Sequence, residues 1–182
     1  MRTRLREAHD ATYLAALYAK PHAHEYWQDH RQRVRSTIAL AGFFEGVSSV
    51  ADLSAGDGAI INALDAPKKY IGDFAPKYEF HGAIEETIDQ IPNVDLFILS
   101  ETLEHLDDPD LVLAKIRAKT RYLVLSTPDG EIALDNPEHY WGWDSDGVRE
   151  MLIRAEFKPV VFSSLTFADP ALTYDYQMWG CK

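Results

Sequence analysis

The sequence predicts an α/β fold, with a mostly parallel sheet, helices on both faces and an antiparallel strand at the carboxy terminus. Three observations support it. A short apolar run at 47–53 leads into a glycine-rich turn and a helical pattern, the order found in nucleotide-binding units. The apolar runs 94–100 and 121–128 flank another helical pattern and are typical of strands buried on both faces. The segments 158–167 and 173–182 predict two antiparallel strands joined by a loop.

The first 46 residues are predicted to form a helical cap in front of a core at 47–182. A helix over Thr3 to Lys20 would be stopped by the proline that follows it. A second helix is predicted from about His24 to Phe44. The His, aromatic and charged residues at 21–33 fit either a solvated helix face or a cap over a ligand site.

The second predicted strand, 68–74, contains Asp73, at the spacing where an acidic residue can bind ribose hydroxyls. Only three residues separate it from the next apolar run, Tyr78 to Ile84, which is too short for a crossover helix. The connection is therefore a hairpin or a helix reduced to a turn, and the fold prediction adopts the reduced helix.

Length and composition indicate one ordinary globular domain of 182 residues, 46% of them hydrophobic. The absence of a membrane-spanning or secretory pattern leads us to expect a cytoplasmic protein without a membrane partner. A single cysteine, Cys181, excludes an internal disulfide and a cysteine-rich zinc site. The chain has a net charge of −11, and residues 1–46 hold seven Lys and Arg against five Asp and Glu, so residues 47–182 carry a net charge of −13. Such an acidic body disfavours extensive contact with nucleic-acid phosphates.

Several motifs resemble those of class I S-adenosylmethionine-dependent methyltransferases, over nearly all of residues 24–182. VADLSAGDG (50–58) is similar to their first motif, D-x-G-x-G-x-G, and YIGDF (70–74) to their ribose-binding strand. VDLFILSETLEHLDDP (94–109) resembles their fourth strand and following helix, and YLVLSTP (122–128) their fifth strand. The resemblance implies a Rossmann-like fold, a methyltransferase and S-adenosyl-L-methionine as cofactor.

The resemblance also implies the cofactor-binding residues. These are Asp52, Ser54, Gly56 and Gly58 for the methionine and ribose, Asp73 with Phe74 for the ribose, Ile84 for the adenine, and Ser100 with Glu101 for the methionine end. The sequence departs from the family at two places. Ser54 replaces the usual first glycine, and Ala83 and Ile84 stand where the family often has an acidic residue that meets the adenine amino group.

A metal site is one interpretation of the segment after the fourth strand. Glu101, Glu104 and His105 would share one face of a helix, and His139 would lie on a loop at the same sheet edge. These four groups suit Mg²⁺ or Mn²⁺, which would lower the pKa of an acceptor hydroxyl. The pattern resembles metal-dependent enzymes that methylate small-RNA 2′-hydroxyls and the ubiquinone-pathway O-methyltransferases. In the metal-free alternative, the glutamates contact the cofactor or the helix N-terminus, and His139 or His105 is the general base.

The resemblance leaves three functions open. The first is methyl transfer to an O or N of a small-molecule acceptor, favoured because the body is acidic. The second is RNA 3′-terminal 2′-O-methylation with a divalent metal, and the third is a catalytically idle, cofactor-binding partner subunit. Tyr140, Trp141 and Trp143 either pack a long loop or form an aromatic wall for the acceptor.

Overall fold

The computed structural model describes residues 1–20, 28–131, 136–167 and 175–182. Its strands are β1 (Arg2–Arg4), β2 (Ser49–Asp52), β3 (Lys68–Asp73), β4 (Phe80–His81), β5 (Val94–Ser100), β6 (Thr120–Pro128), β7 (Trp141–Trp143), β8 (Pro159–Leu165) and β9 (Tyr176–Cys181). Its α-helices are α1 (Ala11–Leu17), α2 (Gln28–Ala41), α3 (Ala59–Ala63), α4 (Ile84–Thr87), α5 (Pro109–Lys119) and α6 (Ser145–Arg154). Short 3₁₀ turns cover Ile88–Gln90 and Leu103–His105.

Seven strands form one sheet in the order β4-β3-β2-β5-β6-β9-β8. The first five are parallel, whereas β9 is antiparallel to both of its neighbours. The strand order reverses between β2 and β5, which creates the switch point where such sheets bind ligands. The predicted fold is therefore confirmed.

Helices cover both faces of this sheet because alternate strand residues point in opposite directions. Ala51 and Phe97 belong to the core that includes residues of α4, α5 and α6. Val50 and Leu96 belong to the core that includes residues of α2 and α3. Strands buried in this way explain the continuous apolar runs of the sequence.

The first predicted helix is shorter in the structure than the sequence pattern indicates. Arg2–Arg4 forms β1, which pairs antiparallel with β7, and only Ala11–Leu17 is helical in the predicted span Thr3 to Lys20. Pairing with a strand distant in sequence overrides the helical pattern of the first residues. The predicted second helix contains α2, while residues 21–27 lie outside the described ranges.

The connection after β3 is the reduced helix rather than the hairpin, because β4 is parallel to β3. Within the predicted run Tyr78 to Ile84, only Phe80–His81 is a strand. Gly72 permits this short crossover, because a Cβ there would lie 2.6 Å from the Phe80 carbonyl oxygen. Among the helices of the described ranges, none has the length and apolar character needed to span a bilayer.

Candidate active site

A cavity of about 580 Å³ opens at the carboxyl ends of β2, β3 and β5. Predicted cofactor residues line it, namely Asp52, Ser54, Gly56, Asp73, Phe74, Ile84, Ser100 and Glu101. Gly58 is not among the lining residues. It caps α3 with a φ of 84°, and a Cβ there would lie 2.7 Å from the Asn62 side chain. Position 58 therefore requires glycine because of the turn conformation and not because the residue faces the cavity.

Asp73 lies directly against the glycine turn, as the predicted grip on a ribose requires. Its Oδ2 accepts a hydrogen bond from the Gly56 amide at 2.8 Å, and its Oδ1 accepts one from the Ala75 amide at 3.2 Å. Tyr78 donates its hydroxyl to the Gly56 carbonyl at 2.7 Å and braces the other side of the turn. Burial raises the pKa of Asp73, although these amides oppose the shift.

The first motif also holds a deeply buried carboxyl group. Burial raises the pKa of Asp52 to about 7, against the opposing hydrogen bond from the Ser54 amide. The Ser54 hydroxyl, in place of the usual glycine, lies 2.6 Å from Thr102 Oγ1. The serine is therefore accommodated by a side-chain hydrogen bond to the segment after β5.

Arg33 of α2 reaches the end of the cavity predicted to receive the methionine. Its side chain is buried, and its Nη1 donates to Ser100 Oγ. Within the described ranges, its Nε is buried without a hydrogen-bond partner. The Arg33 charge opposes the burial that raises the pKa of Glu101, so these two groups act on each other. This buried guanidinium places a positive charge at the same end of the cavity as Ser100 and Glu101.

Glu101 sits at the end of β5 in a strained backbone conformation. Its φ is 52°, a left-handed value that is uncommon for residues other than glycine. Its amide donates to the Ser126 carbonyl at 2.9 Å, and its Oε1 accepts from the Ser126 hydroxyl at 3.0 Å. Neighbouring structure therefore holds this strain at the mouth of the cavity.

Glu104, His105 and His139 form a compact group with one ligand atom from each within 4.8 Å of the others. Glu104 is 1% exposed, and its Oε2 accepts from Thr127 Oγ1 at 2.9 Å. Its Oε1 has no hydrogen-bond partner in the described part of the chain and lies 3.8 Å from His105 Nε2. Burial, and then the charge of Glu101, raise the pKa of Glu104 well above its usual range. A nearby cation would relieve both effects.

Both histidines have a hydrogen-bond acceptor beside their Nδ1 atoms. His105 Nδ1 lies 3.0 Å from the Glu138 carbonyl oxygen, which only accepts, so Nδ1 carries the proton. His139 Nδ1 lies 2.6 Å from Glu131 Oε2, while its Nε2 is 3.0 Å from the Asn136 side-chain nitrogen. Carboxylates and carbonyls in these positions orient metal-binding imidazoles. Burial lowers the pKa of His139 to about 4, which keeps this imidazole neutral.

Three of the four residues predicted to bind a metal lie together. Among the described residues, the group contains Glu104, His105 and His139 but not Glu101. The prediction assumed a helix, whereas Glu101 has a left-handed φ and precedes a 3₁₀ turn at Leu103–His105. The two glutamates consequently have different partners: Glu101 bonds to Ser126 and Glu104 to Thr127.

Of the two interpretations of Tyr140, Trp141 and Trp143, the aromatic wall for an acceptor does not fit the cavity. Tyr140 and Trp143 are each 1% exposed, and neither they nor Trp141 line the cavity. The Trp141 ring lies 3.9 Å from the Arg2 guanidinium carbon, and its Nε1 donates to the Leu106 carbonyl at 2.9 Å. Loop packing, the other interpretation, accounts for all three rings.

Sequence reasoning missed several cavity-lining residues. The most informative are Tyr18, Arg33, Glu85, Asn136 and Glu138. Arg33 left no apolar signal, because the buried positions of α2 are Asp29, Arg33, Thr37 and Ala41, most of which are polar. Tyr18 left none, because α1 has no buried residue from which an inward face could be read.

The fold has many counterparts among solved structures. No family model and no curated protein matches the sequence. The N-methyltransferase NodS of Bradyrhizobium japonicum superposes with a TM-score of 0.73 at 14% identity, over 94% of this chain and 98% of that one. The 1,6-didemethyltoxoflavin N1-methyltransferase of Burkholderia thailandensis gives 0.71 at 17% identity, over 99% and 93%. The methyltransferase domain of a bacterial Hen1 protein gives 0.62 at 14% identity, over 85% and 99%. This chain thus has the class I fold of S-adenosylmethionine-dependent methyltransferases.

Proposed function

We propose that this protein is an S-adenosylmethionine-dependent methyltransferase that acts on a hydroxyl oxygen of a small-molecule acceptor, with a divalent cation bound by Glu104, His105 and His139. One observation carries the proposal. Within the described residues, the cavity of this fold contains a buried carboxyl oxygen without a hydrogen-bond partner, Glu104 Oε1, and one ligand atom each of Glu104, His105 and His139 lie within 4.8 Å of one another.

The cofactor would bind along the carboxyl ends of β2, β3 and β5. Asp73, held at the glycine turn by Gly56, is suited to accept hydrogen bonds from the ribose hydroxyls. Arg33 is suited to pair with the methionine carboxylate, because its Nε lacks a partner among the described residues. Ile84, which is buried and lines the cavity, offers an apolar surface to the adenine.

The donor set of Glu104 and two histidines fits a cation. It combines one carboxylate with two imidazoles, which suits Mn²⁺ better than Mg²⁺. When bound, such a cation would lower the pKa of the acceptor hydroxyl. The protein residues then orient the acceptor oxygen in line with the sulfonium methyl group and exclude water. Because the pKa of His139 is lowered to about 4, this imidazole is a poor proton acceptor and better suited to be a ligand.

The inference of a small-molecule acceptor is based on the net charge of the chain and on the position of Arg33. The chain carries a net charge of −11, and Arg33 is buried toward the cavity rather than exposed for phosphate binding. RNA 2′-O-methylation is the second candidate, motivated by the structural likeness to the Hen1 domain. A catalytically idle partner subunit is less favoured, because such a subunit would not require the Glu104 group.

Calorimetry with S-adenosylmethionine and S-adenosylhomocysteine is the first test, and no binding at millimolar ligand would reject the methyltransferase function. Transfer of a labelled methyl group is then measured to phenols, sugars and a short RNA with a free 3′ end. We expect label in a small molecule. Label only in RNA would favour the second candidate, and label in none would favour the idle subunit.

The cation is tested with Glu104→Gln, which removes the charge and retains the size of the side chain. We expect loss of Mn²⁺ binding and a fall in methyl transfer of about 100-fold, with cofactor affinity retained. Glu150→Gln is the matched control, because Glu150 is exposed on α6. Activity that survives a chelator and Glu104→Gln would reject the cation and keep the methyltransferase.

A further inference from the structure

Tyr18 lines the same cavity as the predicted cofactor residues and the histidine group. It follows α1 directly, and its ring stacks on Phe74 with 5.7 Å between the centroids. Its hydroxyl donates to Glu138 Oε2 at 2.8 Å and lies 3.2 Å from His105 Nδ1. One side chain from the amino-terminal segment therefore contacts a residue predicted to bind the cofactor and a residue proposed to bind the cation.

The hydrogen-bond directions around Tyr18 are determined by its proton. The Tyr18 hydroxyl donates a hydrogen bond to the Glu138 carboxylate, and its oxygen accepts one from His105 Nδ1. The Glu138 carbonyl also accepts from this nitrogen at 3.0 Å. Two acceptors at Nδ1 keep the proton there and leave Nε2 directed toward Glu104.

The helix that precedes Tyr18 lies on the surface of the protein. None of the residues of α1 is buried. The segment before it is held by the His9 amide, which donates to the Tyr140 hydroxyl at 3.1 Å, and by His9 Nε2, 3.1 Å from the Pro137 carbonyl. An element with so little burial opens at low free-energy cost. The ring contact between Tyr18 and Phe74 thus ties its closure to the cavity wall that a cofactor would occupy.

We propose that Tyr18 is a positioning residue, which fixes the protonated nitrogen of His105 and joins this orientation to cofactor binding through Phe74. The proposal rests on the proposed function for its role toward the cation, but the contact itself can be tested without metal. Tyr18 would act through His105 and need not touch the reacting atoms.

The first test compares Tyr18→Phe with Tyr18→Ala in the full chain. Phenylalanine keeps the ring on Phe74 and removes the hydroxyl, so in the presence of S-adenosylhomocysteine we expect Mn²⁺ affinity to fall about tenfold, with nucleoside affinity changed less than about twofold. Alanine is expected to weaken both. Tyr13→Phe is the matched control, because Tyr13 lies on the same helix and is 44% exposed. Wild-type Mn²⁺ affinity in Tyr18→Phe would overturn the proposal.

The second test is the imidazole nitrogen spectrum of the metal-free protein. We expect a proton on His105 Nδ1 that exchanges more slowly with water when S-adenosylhomocysteine is added, and loss of this protection in Tyr18→Phe. Equal protection in the two proteins would overturn the proposal whatever the metal result. If the wild type binds no Mn²⁺, the cation of the proposed function fails, and the nitrogen spectrum alone decides the role of Tyr18.

Discussion

Replacing Arg33 by glutamine is expected to weaken cofactor binding through one ligand group, the methionine carboxylate. The arginine side chain is 1% exposed, and its Nε has no partner in the described ranges, so binding of an anion satisfies a nitrogen that is otherwise buried alone. A hydrogen bond to a charged group contributes about 1.5–3 kcal/mol. This corresponds to a loss of roughly 10- to 150-fold in affinity.

The assay is calorimetric titration with two ligands that differ in the amino-acid portion. S-adenosylhomocysteine carries the carboxylate, whereas 5′-methylthioadenosine lacks it. Arg33→Gln should weaken only the former, and Arg35→Gln, an exposed position on the same helix, should weaken neither. An equal loss for both ligands would refute the reasoning, because the substitution would then have disturbed the cavity as a whole.

Three further predictions concern stability and the Glu104 group. Because burial raises the pKa of Asp52 to about 7, the folded state favours the neutral form of this side chain. The free energy of unfolding of the ligand-free protein should therefore fall by up to about 4 kcal/mol from pH 4 to pH 7. Denaturant titrations of Asp52→Asn should show a flatter pH profile. Gly72→Ala would place a Cβ 2.6 Å from a backbone oxygen and should lower the free energy of unfolding by about 1–3 kcal/mol. Gly46 has a φ of 69° and open space around it, so Gly46→Ala should cost about 1–2 kcal/mol through left-handed backbone strain alone. Thermal unfolding of the two variants measures both costs. Thr127→Val removes the hydrogen bond to Glu104 Oε2 and should lower Mn²⁺ affinity about tenfold in titrations. Unchanged Mn²⁺ affinity would argue against a cation bound by Glu104.

The cofactor half of the site was predictable because its signals are local. The glycine turn at 54–58 follows directly from residues that adopt positive φ, at Gly56 and Gly58. The carboxylate of Asp73 lies at the end of the adjacent parallel strand, so strand order alone brings it to the turn. Sequence pattern and topology thus agree on these positions without knowledge of any side-chain contact.

The surroundings of His105 were less predictable because the residues there come from distant segments. Tyr18, His105 and Glu138 meet through contacts that span 87 and 120 residues from Tyr18. The helical spacing of Glu101 and Glu104 was misleading, because a left-handed residue and a 3₁₀ turn replace the expected helix. Periodicity describes one element at a time and carries no information about such contacts.

Buried carboxyl groups around the cavity lead to a last prediction about proton release. Burial raises the pKa of Asp52 to about 7 and that of Glu101 in the same direction, so the ligand-free site retains protons near neutral pH. The sulfonium of S-adenosylmethionine is a cation, and a cation beside a carboxyl lowers its pKa. S-adenosylhomocysteine has the same outline without that charge.

Binding of S-adenosylmethionine at pH 7 should therefore release more protons than binding of S-adenosylhomocysteine. Asp52 is about half protonated at this pH, so its own share is at most about 0.5 proton. Calorimetry in two buffers of different ionisation enthalpy measures the difference directly. Equal proton release for the two nucleosides would mean that the carboxyl groups do not face the sulfonium, and the proposed direction of the methionine end toward Glu101 would have to be reversed.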